Sequence, residues 1–171
     1  MMHQYTQLLL ALALFSINTL VSAQQNTGCP QAEARTANGE IFVFREHEFE
    51  NGTHDLVISK LDQSDIKRVT YSGKARLEKR GTCIYKALAI AQGGDWGWHL
   101  AWTFNEKAGV FYSRMDGVAW VSTPPKRIGE GTADALKFEL KNEQVTLLGY
   151  TSQTSQSAIF SFTSDDEGRN W

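Results

Sequence analysis

The sequence has no apolar run long enough to span a bilayer, no block of like charge, no CxxC or Cys/His cluster and no segment with a helical hydrophobic stripe. Each absence removes a class of protein. The longest apolar run, Leu8-Leu9-Leu10-Ala11-Leu12-Ala13-Leu14-Phe15, falls short of the roughly 20 residues that a membrane helix needs. Lysines, arginines and acids are scattered along the chain with a formal net charge of −2, which leaves no electrostatic footprint for nucleic acid. Two cysteines without finger-type spacing argue against a structural zinc site, and no cofactor is implied. The want of helical periodicity points to an all-β chain.

What the N-terminus does contain is an export signal. The short apolar run is followed by Val21-Ser22-Ala23, small residues at the cleavage-type positions, so residues 1–23 read as a signal peptide and 24–171 as one mature domain. The segment ahead of the run holds no Lys or Arg, which is atypical of such signals. Cys29 sits beyond a polar Gln24-Gln25-Asn26-Thr27 spacer, which disfavours a lipid anchor. Export to the periplasm or beyond means an oxidising compartment, and Cys29 with Cys83 is then expected to form one disulfide. Closing that loop stabilises by about 4 kcal/mol in the chain-entropy model and ties the new N-terminus to a strand.

The mature chain is a series of short β-prone runs, at 41–45, 56–61, 66–71, 74–79, 83–91, 97–104, 109–114, 118–121, 135–141, 144–150 and 158–163. Turn pairs such as Asn51-Gly52, Ser72-Gly73, Gly93-Gly94 and Lys141-Asn142 punctuate them. The longest connector, 122–134, contains Pro124-Pro125, which removes two ladder donors, and is expected to be a loop between sheets.

One pattern recurs. Ser113-Arg114-Met115-Asp116-Gly117-Val118-Ala119-Trp120 and Ser164-Asp165-Asp166-Glu167-Gly168-Arg169-Asn170-Trp171 share Ser, Gly and Trp at the same offsets. The second is a full S-x-D-x-G-x-x-W; the first has Met115 where the pattern wants Asp, with Asp116 just after it. The period is about 51 residues, and each copy follows the same strand, turn, strand unit. In such a turn Asp and Ser hydrogen-bond the backbone, Gly takes the positive-φ step and Trp packs beneath the hairpin.

This repeat resembles the BNR/Asp-box family, which includes sialidases and several non-enzymatic β-propellers, over about residues 97–171. The resemblance implies a partial propeller of about three four-stranded antiparallel blades, in which Ser113, Asp116, Gly117, Trp120, Ser164, Asp166, Gly168 and Trp171 determine the fold. Propellers carry 4 to 8 blades, so this chain alone does not close a ring. Three explanations follow: a fragment of a longer sialidase-like gene, a homo-oligomer joined through an open sheet edge, or a compact sandwich that reuses the hairpin.

The family's enzymes clamp a carboxylate with an arginine cluster and use a Tyr/Glu pair with an Asp acid/base. Here Phe44-Arg45-Glu46-His47 keeps the aromatic residue and the Arg of the family's first arginine motif and lacks its Ile-Pro, so Arg45 is a weak catalytic candidate. Arg114 and Arg169 lie inside the boxes, whose turns sit on the outer rim in this family. The expectation is therefore a non-catalytic, exported binding or scaffold protein, with a sialidase-type glycoside hydrolase, or a remnant of one, as the alternative.

Two further groups carry candidate chemistry. Trp96, Trp98 and Trp102 share strand parity with Leu100, and form either core or a platform for a glycan or protein partner. Glu46-His47-Glu48 and His54-Asp55 make the only local cluster of metal-type ligands, which a solvated polar hairpin explains more simply.

Overall fold

The computed structural model describes residues 28–71, 83–94, 96–153 and 157–171. The signal peptide expected over 1–23 and the strand expected over 74–79 lie outside these residues. The described chain forms three antiparallel sheets and no helix, so no helix is long and apolar enough to cross a membrane.

The first sheet holds β1 (Gln31–Arg35), β2 (Ile41–Glu48), β3 (His54–Lys60) and β4 (Ile66–Arg68). The second holds β5 (Tyr85–Gly93), β6 (Gly97–Phe104), β7 (Val110–Asp116) and β8 (Lys126–Gly129), and the third holds β9 (Ala135–Lys141), β10 (Gln144–Tyr150) and β11 (Phe160–Ser164). Within each sheet, strands adjacent in sequence are adjacent in space. Hairpin turns enforce this local order. Gly39 and Gly52 take positive φ in the first sheet, and Asn142 does so between β9 and β10.

The sheets stack face to face, with the second in the middle. Phe42, Phe44, Leu56 and Ile58 of the first sheet pack against Leu88, Trp98, Leu100 and Trp102 of the second. Phe42 and Trp98 have ring centroids 4.6 Å apart. On the other side, Ala89, Ala101 and Val110 meet Leu147, Phe138 and Phe162 of the third sheet. Small residues on the middle sheet let these larger rings approach. A Cβ on Gly129, for example, would lie 2.0 Å from the Phe162 ring. Being covered on both sides, β6 is buried from Gly97 to Thr103 without alternation. The first strands β1, β5 and β9 lie beside one another in succession.

Several expectations from the sequence need correction. The connector 122–134 is not wholly loop, because Lys126–Gly129 forms β8 along the outer edge of β7, with Phe111 opposite Arg127. Pro124 and Pro125 stand just before this edge strand, where a missing N–H costs no ladder bond. Residues 118–121 are not a strand. The Asp116 carboxylate accepts the Val118 and Ala119 N–H groups at 2.8 and 2.5 Å and folds them into a turn, and only Ser122 returns to bridge Met115. Gln31–Arg35, with little intrinsic strand preference, becomes β1 by pairing with β2 and seating Ala32 and Ala34 on the core.

Candidate binding site

The Cys29–Cys83 disulfide forms as expected, with Cα atoms 5.2 Å apart. It joins the segment ahead of β1 to the segment ahead of β5. The Glu46 carboxylate lies beside it and accepts the Ile84 N–H at 3.0 Å. Cys29, Cys83 and Glu46 are close enough to suggest metal ligands, but both sulfurs are committed to each other.

His47 and His54 are not brought together. In the β2–β3 register Glu48 faces His54 and His47 faces Asp55, so the two imidazoles occupy opposite faces of the sheet. His54 bonds Glu46 through Nδ1 at 2.8 Å, whereas His47 sits edge-on to Phe49 and is held below its ordinary pKa by burial and by Arg45. Arg45 is half-buried on β2, on the face opposite Phe44.

The tryptophans separate. Trp98 and Trp102 are 4 % and 1 % exposed and belong to the core between the first and second sheets. Trp96 does not share their face. Gly97, at φ +143°, ends the strand geometry, and Trp96 swings across to stand edge-on to His99 at 4.8 Å beneath the Arg114 guanidinium.

Both Ser-to-Trp segments lie at the end of the third strand of their sheet, with Ser113 and Ser164 buried, but 113–120 is still strand as far as Asp116 and turns only after it, whereas 164–171 turns directly after Ser164. In 164–171 the Ser164 hydroxyl donates to Asp166 at 2.8 Å and accepts the Gly168 N–H at 2.9 Å. Asp166 accepts the Asn170 N–H at 2.8 Å and the Asn170 amide at 2.6 Å. The Asn170 backbone, then Ser164 and the Asn170 side chain, hold its carboxyl down to about 2. Glu167 and Gly168 take positive φ, and Trp171 donates to the Gly168 carbonyl. In 113–120 the Ser113 hydroxyl turns instead to the Thr123 carbonyl at 2.8 Å, Asp116 caps the next turn alone, and the positive-φ step expected at Gly117 falls on Trp120.

The tryptophans ending these turns have matching destinations. Trp120, from the second sheet, packs on Phe42 of the first at 5.9 Å; Trp171, from the third, packs on Tyr112 of the second at 4.7 Å. The surroundings then differ. At the second–third junction Arg114 lies 3.8 Å over Trp96 and 3.8 Å from Glu167, and His99 bonds Tyr112 at 2.6 Å, so side chains fill the space. Burial, with Arg114 adding to it, pushes His99 down to about 4, and burial raises the Tyr112 phenol.

At the first–second junction a cavity of about 460 Å³ remains open. Its apolar wall is Phe42, Trp98, Val118 and Trp120. Its polar lining comes from the β1–β2 turn, with Thr36, Asn38 and Glu40, and from Gln92 at the end of β5, which pairs with Trp98. Thr36 and Asn38 brace that turn: the Glu40 N–H donates to the Thr36 hydroxyl at 3.0 Å, and Glu40 pairs with Lys60. Lys60, and then Asn38, hold the Glu40 carboxyl below its usual range, so it is ionised at neutral pH.

Sequence reasoning missed a third relative of the turn. Ser59-Lys60-Leu61-Asp62, which runs from the end of β3 into the next turn, repeats the residue order of Ser113-Arg114-Met115-Asp116 at the end of β7, with Ser59 buried and Asp62 at φ +63°. It lacks Gly and Trp, so only the repeated Ser-basic-apolar-Asp order could have revealed it. Also missed was a buried polar network in which Asp55 pairs with Arg68 and accepts the Thr70 hydroxyl at 3.1 Å.

No protein-family model, curated protein or solved structure matches the chain.

Proposed function

We propose that this chain is an exported, non-catalytic β-propeller-type protein of the BNR/Asp-box kind, acting in binding or as a scaffold. One observation carries the reading: successive sheets begin with adjacent first strands, and a Ser-to-Trp turn at the end of two of them sends its tryptophan onto the preceding sheet. Blades repeated radially around an axis would bring successive sheets together in this order.

Five of the six described arginines, all but Arg45, have partners within the chain, which favours a non-catalytic role. Arg35 donates to the Gly39 carbonyl, Arg68 pairs with Asp55, Arg114 covers Trp96, Arg127 pairs with Glu130 and Arg169 with Glu167. Arg114 and Arg169 share the chain's own Glu167 carboxylate, and the other three lie in separate parts of the fold, whereas a substrate clamp needs guanidinium groups converging on an open point. Protein recovered from the export compartment of cells expressing the full chain is expected to begin at Gln24 by mass spectrometry and to release no product from a fluorogenic sialoside. Sialoside turnover, or retention of residues 1–23 in the cytoplasm, overturns the reading.

A further inference from the structure

We propose that the cavity between the first and second sheets is a binding site for a neutral pyranose, such as the terminal sugar of an oligosaccharide. This rests on the reading of the chain as a binding protein and names its ligand class.

A space of about 460 Å³ lies within the range typical of small-molecule sites. One wall is apolar and aromatic. Trp120 and Phe42 stack at 30° with centroids 5.9 Å apart, and Val118, 86 % exposed, extends this wall to the rim. Beside these apolar groups the lining supplies hydroxyl, carboxamide and carboxylate groups from Thr36, Asn38, Gln92 and Glu40, with Gln92 next to Trp98 in the β5–β6 ladder. A pyranose matches both, because its axial C–H face is apolar and its rim is a ring of hydroxyls that donate and accept. A fully apolar ligand would use only the aromatic part of this lining.

Charge narrows the class further. The nearest ionised pair at the site is Glu40 with Lys60, so the wall carries no net positive charge, and the carboxylate disfavours an acidic sugar.

The wall is also preorganised. The Thr36 and Asn38 side chains hold the β1–β2 turn, and the 116–121 turn is fixed by the two hydrogen bonds to Asp116 and by the Trp120 N–H donating to the Asp116 carbonyl at 3.0 Å. Trp120 itself is held at φ +57°, a conformation uncommon for a bulky residue, and in that setting its ring borders the cavity. At the equivalent junction between the second and third sheets, Trp96 and Arg114 occupy the space that is open here.

The test uses the exported protein and the methyl glycosides of glucose, galactose and mannose, N-acetylglucosamine, and their β-linked disaccharides. Binding is read by saturation-transfer NMR and by tryptophan fluorescence. At least one neutral sugar is expected to bind, with Trp120→Ala and Gln92→Ala each weakening it by about tenfold or more. Lys137→Ala, on the exposed face of the third sheet, is expected to leave binding unchanged. Should Trp120→Ala fail to fold, Gln92→Ala and Asn38→Ala, both on exposed residues, carry the test. Absence of saturation transfer from folded protein to any of these neutral sugars overturns the proposal, as does binding that survives Trp120→Ala and Gln92→Ala. Either failure leaves the non-catalytic reading standing, since only sialoside turnover or faulty export removes that.

Discussion

The two Ser-to-Trp turns follow one pattern and reach different ends. Both bury their serine and place their tryptophan on the sheet before them. In 164–171, Ser164, Asp166 and Asn170 form one connected network, whereas in 113–120 the serine reaches forward to Thr123 and Asp116 works by itself. The destination of the tryptophan is therefore the part of the pattern that survives when the Asp moves by one place. Where the turn is complete, the junction is filled by Trp96 and Arg114; where it is displaced, a cavity remains.

The largest expected effect comes from trying to make the two turns alike. Met115→Asp completes the pattern on paper, but Met115 is fully buried in the core between the first and second sheets. A carboxylate there is expected to cost roughly 3–5 kcal/mol in urea unfolding. A more stable variant would break the comparison, since it would mean that register alone separates the turns.

Next is the tryptophan pair. Trp171→Ala removes a ring seated on Tyr112 and packed against the core between the second and third sheets, for an expected loss of about 3 kcal/mol. Trp120→Ala is expected to lose less, about 1–2 kcal/mol, because one side of its ring already borders the cavity. Equal losses would erase the distinction between a filled and an open junction.

Acid sharpens the same contrast. His99 is buried neutral at the filled junction with a pKa of about 4, below its ordinary value of 6.5. Because the unfolded chain takes up this proton first, stability is full above about pH 6.5 and falls as pH drops towards 4, by about 3 kcal/mol. His99→Phe is expected to flatten that window in a pH series of thermal melts. A second decline follows between the ordinary Asp value of 3.8 and about 2, where Asp166 protonates and its capping of Asn170 is lost.

The smallest effects separate the two aspartates. Asp166→Ala is expected to lower the melting temperature more than Asp116→Ala, because Asp166 also anchors Ser164. The reverse order in paired melts would show that the displaced Asp carries the tighter turn.

Where the hydrophobic pattern and the turn chemistry agree, the sequence was fully legible. The bounds of β6, β9 and β10 fall where the apolar runs and the Lys141-Asn142 turn put them, and the disulfide followed from compartment and count. Elements stabilised from outside were not legible. β1 and β8 are edge strands that depend on a neighbour's ladder, and their own residues carry little strand preference. Parity placed Trp96 with Trp98 and Trp102 because parity assumes an unbroken strand, and the positive φ of Gly97 breaks it. The candidate binding site was partly legible. Trp120 was marked as a turn residue, but its pairing with Phe42, and the polar wall from the β1–β2 turn, arise only when the two sheets stack.

The most direct test of the link between each turn and its junction is backbone hydrogen exchange, compared residue by residue for Trp120→Ala and Trp171→Ala. Faster exchange is expected in β2 and at the cavity walls for the first, and in β7, β10 and β11 for the second. If both substitutions speed exchange in the same residues, or uniformly through all three sheets, the two turns do not lock separate junctions, and the blade-by-blade reading of this chain is contradicted.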